Sequence, residues 1–194
     1  MYMAIVPHYH IFSGLRFDIE HEGFNNSSVI FSPQLYYRDR KTYEKEKVGN
    51  ANYFNLLAGA GFDVNKKIII NSNKYQYYFA LGGGYNHYHL QFYDFVWKYV
   101  YEDFNYIYKY ELDMLIQNIH RINLGFIIGM REKINDALFY DVYGGLEIRY
   151  SYNILNNNYD LVKFNKFMTN FGFTGTNVIL GLKIGFDVKN IKKN

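Results

Sequence analysis

The sequence predicts an all-β chain, an eight-stranded antiparallel up-and-down transmembrane β-barrel with long extracellular loops. Three observations carry that prediction. Aromatic residues make up 21% of the 194, led by 22 Tyr and 17 Phe, while Pro occurs only 2 times. Aromatic side chains suit a pleated surface and Pro interrupts a strand ladder, so this balance favours sheet. Hydrophobicity also alternates with period two over most of the chain, dividing an uncharged face from one of charges and glycines. Finally, short turns alternate with long connections, as expected of a barrel with tight turns at one end and long loops at the other.

The alternation is sharpest over residues 121–152. Ile122, Leu124, Phe126, Ile128 and Met130 share one face, and Arg121, Asn123, Gly125, Gly129 and Arg131 the other. After a polar turn at 132–136, Tyr140, Val142, Leu146, Ile148, Tyr150 and Tyr152 oppose Asp141, Tyr143, Gly145, Glu147 and Arg149. This segment is a hairpin with one face for a bilayer and one for a polar interior.

The other elements follow in order. Residues 3–7 form a short first strand, clipped at Met1, and 8–13 a tight connection. Leu15, Phe17 and Ile19 then alternate with Arg16, Asp18 and Glu20, and 23–28 have the composition of a turn. In the next strand Val29, Phe31, Leu35 and Tyr37 alternate with Ser32, Gln34, Tyr36 and Arg38, with Pro33 inside it. Residues 40–52 read as a charged loop, 53–64 as a strand, and 65–74 as a polar connection interrupted by Ile68, Ile69 and Ile70. A long strand begins at Tyr75, and its alternation runs on through Phe95, Trp97, Tyr99 and Tyr101. It turns at 102–105 and returns through Tyr106, Tyr108 and Tyr110, which predicts two strands projecting past the rim. Residues 153–175 read as a loop, 177–188 as the last strand and 189–194 as a basic tail, all within one domain spanning 1–194.

Composition narrows the function classes. With no Cys there is no disulfide framework, thiol nucleophile or cysteine metal site. A formal charge of +3, evenly spread, does not point to nucleic acid. No apolar run reaches the roughly 18–20 residues of a membrane helix, and mean hydropathy is −0.27. Barrel strands carry too weak a hydropathy signal for either fact to bear on them. No signal peptide is visible at the start of the chain.

Which face lies inside separates a membrane barrel from a soluble lipocalin-type barrel carrying a small apolar ligand. The polar face holds the glycines, including Gly59, Gly61, Gly82, Gly84, Gly129 and Gly181, which make room in a narrow interior. Its charges also balance. Arg16, Arg38, Arg121, Arg131, Arg149 and Lys183 stand against Asp18, Glu20, Asp63, Asp141, Glu147 and Asp187. Buried charges require partners and solvated ones do not, so the balance predicts an interior charge network. The opposite face has no charge in any core strand, as lipid contact demands.

On the stretches GLRFDIEHE, SPQLYYRDR, YYFALGGGY and ILGLKIGF, the chain resembles the small eight-stranded outer-membrane barrels of Gram-negative bacteria. It looks closest to the OmpA-like and "outer membrane protein beta-barrel" families of the Bacteroidota. The resemblance covers nearly the whole chain and implies an outer-membrane location, lipid as a partner and no cofactor. In departure from that pattern, Phe186 is followed by further residues rather than ending the chain.

Candidate sites are few. Trp97, Tyr99, Tyr101, Tyr106 and Tyr108 on the projecting hairpin offer amphipathic contact area for an extracellular protein or glycan. The same residues also fit an aromatic girdle at the membrane interface plus a rigid surface hairpin. His87 and His89, like His8 and His10, stand in an H-x-H spacing that can ligate Zn²⁺ or Cu²⁺; on an outward face they are also ordinary interfacial residues. Ser13 and Ser151 are the serines nearest the expected rim, where a lipid-modifying enzyme would need a nucleophile, but no catalytic motif surrounds them. Gly82–Gly84 lacks the Lys-Ser/Thr of a phosphate loop. The expectation is a non-enzymatic barrel of structural or surface-binding role.

Overall fold

A computed structural model describes residues 1–8, 14–39, 55–70, 75–102, 105–153 and 165–188. Eight antiparallel strands close into a barrel in which each pairs with its sequence neighbours and β8 pairs with β1. They are β1 (Tyr2–Ile5), β2 (Gly14–Glu22), β3 (Ser27–Asp39), β4 (Leu56–Ile69), β5 (Tyr75–Glu102), β6 (Asn105–Lys133), β7 (Leu138–Asn153) and β8 (Gly175–Asp187). The predicted loop at 40–52, most of the connection at 8–13, part of the loop at 153–175 and the basic tail lie outside the described residues.

The orientation of the wall follows the alternation. Leu124, Phe126, Leu180 and Leu182 point outward with 59%, 44%, 74% and 39% of their surface exposed. Arg16, Asp18, Glu20, Asp63, Asp141 and Lys183 are buried inside. An apolar-lined carrier cavity would require the reverse, so that alternative does not fit the described chain.

Local features explain the strand ends. Asn25 and Asn26 both have positive φ, 54° and 53°, the conformation of a two-residue hairpin turn that matches strand twist. The Ser27 amide donates to the Phe24 carbonyl across that turn. Pro33 sits within β3 opposite Phe62 without ending it. Pro7 follows β1 and cannot supply a ladder N–H, and β1 pairs with β8 only from Tyr2↔Asp187 to Ile5↔Ile184.

Two expectations change. Residues 65–69 belong to β4 rather than to a connection, so Lys67 points inward with 0% exposure, and Lys66 places an exposed charge on the outer face predicted to carry none. The projecting hairpin is present, and its inward face is apolar at the base and charged further out, where Asp94, Lys98, Lys109, Glu111 and Asp113 lie. Leu90, Phe92, Val96, Leu115 and Ile119 are buried with Tyr36, Leu57 and Tyr88, and Phe171 packs against them. β4 stops pairing with β5 at Gln91 and β7 stops pairing with β6 at Ile119. Beyond those points β5 and β6 continue as a two-stranded arm, which at roughly 3.4 Å per residue is on the order of 35 Å long.

Inward aromatics lie over glycines of the neighbouring strand. Tyr78 is paired with Gly129, and Tyr143 with Gly181. A Cβ built on Gly129 would run into the Tyr78 ring. Overpacking a filled interior costs about 1–3 kcal/mol. Gly129→Ala should therefore lower unfolding stability by that amount in a urea titration of the folded chain.

Candidate functional site

Inside the barrel the charged side chains form stacked tiers. In the lowest, Arg131 bridges Glu20 and Asp141, the latter at 3.3 Å. Lys67 lies 3.4 Å from Glu20 and 3.9 Å from Asp141. Ser28 donates to Glu20 at 2.7 Å, and the Tyr78 hydroxyl donates to Asp141. The flanking rings take up the remaining cationic surface, with Lys67 4.0 Å from the Tyr78 centroid and Arg131 4.1 Å from that of Phe139.

The middle tier centres on Arg16. Its Nε meets Asp18 at 3.0 Å and its Nη1 meets Asp63 at 2.7 Å, while Nη2 donates to Ser32. Lys183 completes the tier against Asp18. Gln34 donates to Asp63 at 2.6 Å and in turn accepts from the Tyr36 hydroxyl. Above it Arg149 pairs with Glu147, which also accepts from Asn177 at 3.0 Å. Arg149 Nη1 donates to the Met168 carbonyl and so ties the 165–174 segment to the mouth. The Arg121 guanidinium rests over the Tyr88 ring at 5.0 Å, and Arg38 is half-buried near the top of β3.

All the predicted interior charges therefore face inward, and the tiers join most of them. Lys67 was not anticipated. Nor was a cavity of about 260 Å³ in the upper half, lined among others by His8, Arg16, Asp63, Arg121, Asn123 and Glu147. The lower half is filled by side chains as expected, and the upper half is not.

On the outside, the hairpin arm carries a continuous aromatic ladder. Trp97 faces Tyr110, Tyr99 faces Tyr108 and Tyr101 faces Tyr106 across the two strands. Tyr99 and Tyr106 stack diagonally at 4.9 Å and 7°, and the Trp97 and Tyr110 rings are 5.1 Å apart. All are well exposed. The charges of the arm are on its other face, where Lys98 and Asp113 pair at 2.9 Å. That ammonium holds the Asp113 carboxyl below its ordinary range. Because the carboxyl is depressed, the pair is intact at neutral pH and is lost as acid protonates Asp113.

Below the ladder, a polar band of His87, His89, Gln91, Asn118 and His120 interrupts the outer face. His89 and Asn118 share a hydrogen bond at 2.8 Å. Ser151, the one described serine singled out as a nucleophile, donates to the Phe173 carbonyl at 3.1 Å and anchors the loop. Ser13 and His10 lie outside the described residues.

Removing one member of a buried ion pair typically costs about 3–5 kcal/mol, because its partner is left charged and dry. Glu20→Gln strips Arg131 and Lys67 of a shared counter-charge, and its loss of stability in equilibrium unfolding should fall in that range. Comparison with protein-family models, curated proteins and solved structures finds no match to this chain.

Proposed function

We propose that this chain is an outer-membrane barrel of a Gram-negative bacterium that is not an enzyme and presents its aromatic hairpin to an extracellular protein or glycan. The observation that carries the reading is the outward, largely apolar face of a closed barrel with a charged interior, a face interrupted on β4 by the exposed Lys66. On β6 that face runs from Met130 to Ile122, and on β5 from Tyr77 to Tyr85. At about 3.4 Å per residue and a tilt of about 40°, this belt is roughly 20–25 Å tall. The apolar band of an outer-membrane barrel is about 25 Å. His120 and Asn118 follow at the level of lipid headgroups, with the arm above them.

The ladder supports a binding role because exposed, uncharged aromatics of this extent mark contact surfaces rather than solvated ones. Tyrosines present flat apolar rings with hydroxyls at the edge, which suits both a protein surface and the faces of sugar rings. The charge tiers supply rigidity beneath this platform.

Lipid contact is tested by Leu124→Arg. In a bilayer the substitution should cost about 2–4 kcal/mol, against at most about 0.5 kcal/mol on a water-exposed surface. Equilibrium unfolding in liposomes measures the difference. Trp97 is the only Trp, so its fluorescence reports the ladder directly. Titration with soluble polysaccharides or extracellular proteins should shift its emission, and a Tyr99→Ala/Tyr108→Ala variant should abolish the shift.

A further inference from the structure

The histidines of the outer band differ in what their nitrogens do. His89 has both engaged, Nδ1 with Asn118 at 2.8 Å and Nε2 with the Gln91 amide at 3.3 Å. A neutral ring with its proton on Nδ1 satisfies both contacts and has no lone pair left for a metal. His87 makes no hydrogen bond among the described residues, and it lies directly opposite His120 across the β5–β6 ladder. The two ring centroids are 4.7 Å apart. His120 is bonded only through Nδ1, to the Tyr85 hydroxyl at 2.6 Å, and is stacked on Tyr152 at 5.3 Å and 16°.

We infer that His87 and His120 form a transition-metal site on the outer wall, at the base of the hairpin. In the tautomer whose Nδ1–H donates to the Tyr85 oxygen, His120 keeps its Nε2 lone pair available to a metal. Metal-ligating histidines are commonly held in this way, by a hydrogen bond from the other ring nitrogen. A centroid separation of 4.7 Å is compatible with one ion held by a nitrogen of each ring at the roughly 2.0–2.1 Å that Zn²⁺ takes, with His87 turning to meet a His120 fixed on Tyr85. Two imidazoles favour Cu²⁺, Ni²⁺ and Zn²⁺ over the oxygen-loving Ca²⁺ and Mg²⁺. Among the described residues no third His, Cys, Asp or Glu joins the pair. The remaining positions belong to water or other exogenous donors, so the site is an open, exchangeable one. Bound metal would clip β5 to β6 where the arm leaves the barrel.

In this reading His87 pairs with His120 across the strands rather than with His89 along one strand. The inference does not depend on what the aromatic ladder binds.

The test titrates the full chain, folded in detergent micelles, with Cu²⁺ and Zn²⁺ by calorimetry, and reads the Cu²⁺ complex by electron paramagnetic resonance. One Cu²⁺ per chain with two imidazole nitrogens is expected. His87→Ala and His120→Ala should each weaken binding at least tenfold, and Tyr85→Phe by about tenfold through lost orientation. His89→Ala and the His8→Ala/His10→Ala double variant should bind as the parent does. Far-UV circular dichroism checks that each variant keeps its sheet, and the outward position of these side chains makes that the expected result. Unchanged affinity in His87→Ala or His120→Ala would overturn the site, as would equal loss in His89→Ala or in the double variant.

Discussion

A charge inside a narrow barrel must be neutralised by another side chain, and that constraint organises this molecule. The interior is too tight for bulk water in its lower half, and Glu20 and Asp141 there each have a cation and a neutral donor beside them. The lowest tier draws Glu20 from β2, Ser28 from β3, Lys67 from β4, Tyr78 from β5, Arg131 from β6 and Asp141 from β7. The middle tier adds Lys183 from β8. These ties cross the lumen and connect strands that are not neighbours in the sheet. They matter because β1 closes the barrel through only a short ladder, from Tyr2 to Ile5. The wall is held from within as well as along its edges.

The same constraint relaxes toward the mouth, and the inner face changes character there. Once β4 and β7 end, the inward side of the arm no longer looks into a charged lumen. At its base Leu90, Phe92, Val96, Leu115 and Ile119 gather Tyr36, Tyr88 and Phe171 into an apolar cap, and further out the same side carries the Lys98–Asp113 pair. Between cap and middle tier lies the cavity. The outer face changes in the other direction, from aliphatic belt through a histidine and amide band to the aromatic ladder. A single pair of long strands therefore carries an aliphatic belt, a polar band and an exposed aromatic ladder in succession.

Much of this was legible in the sequence because a strand's faces are read directly from its parity. Arg16, Asp18 and Glu20 could be placed inside and Leu15, Phe17 and Ile19 outside from alternation alone. Lys67 escaped because Ile68, Ile69 and Ile70 break the alternation just after it, which hid the inward parity it shares with Asp63 and Asn65. The cap escaped because its residues come from distant segments, and burial at a mouth depends on where neighbouring strands stop. His120 was missed as a partner of His87 for a related reason. Spacing along one strand is visible in sequence, whereas the cross-strand register is set by the whole hairpin and becomes visible only once the fold is known.

The most direct test of the central claim places nitroxide labels at Leu124, Leu180, Asn123 and Asn177 in bilayers and measures their access to oxygen and to a water-soluble nickel chelate. The account predicts that Leu124 and Leu180 meet oxygen and not nickel, while Asn123 and Asn177, facing the interior, meet little of either. Free access of nickel to the two leucine sites would show that the apolar face stands in water, and would contradict the membrane barrel.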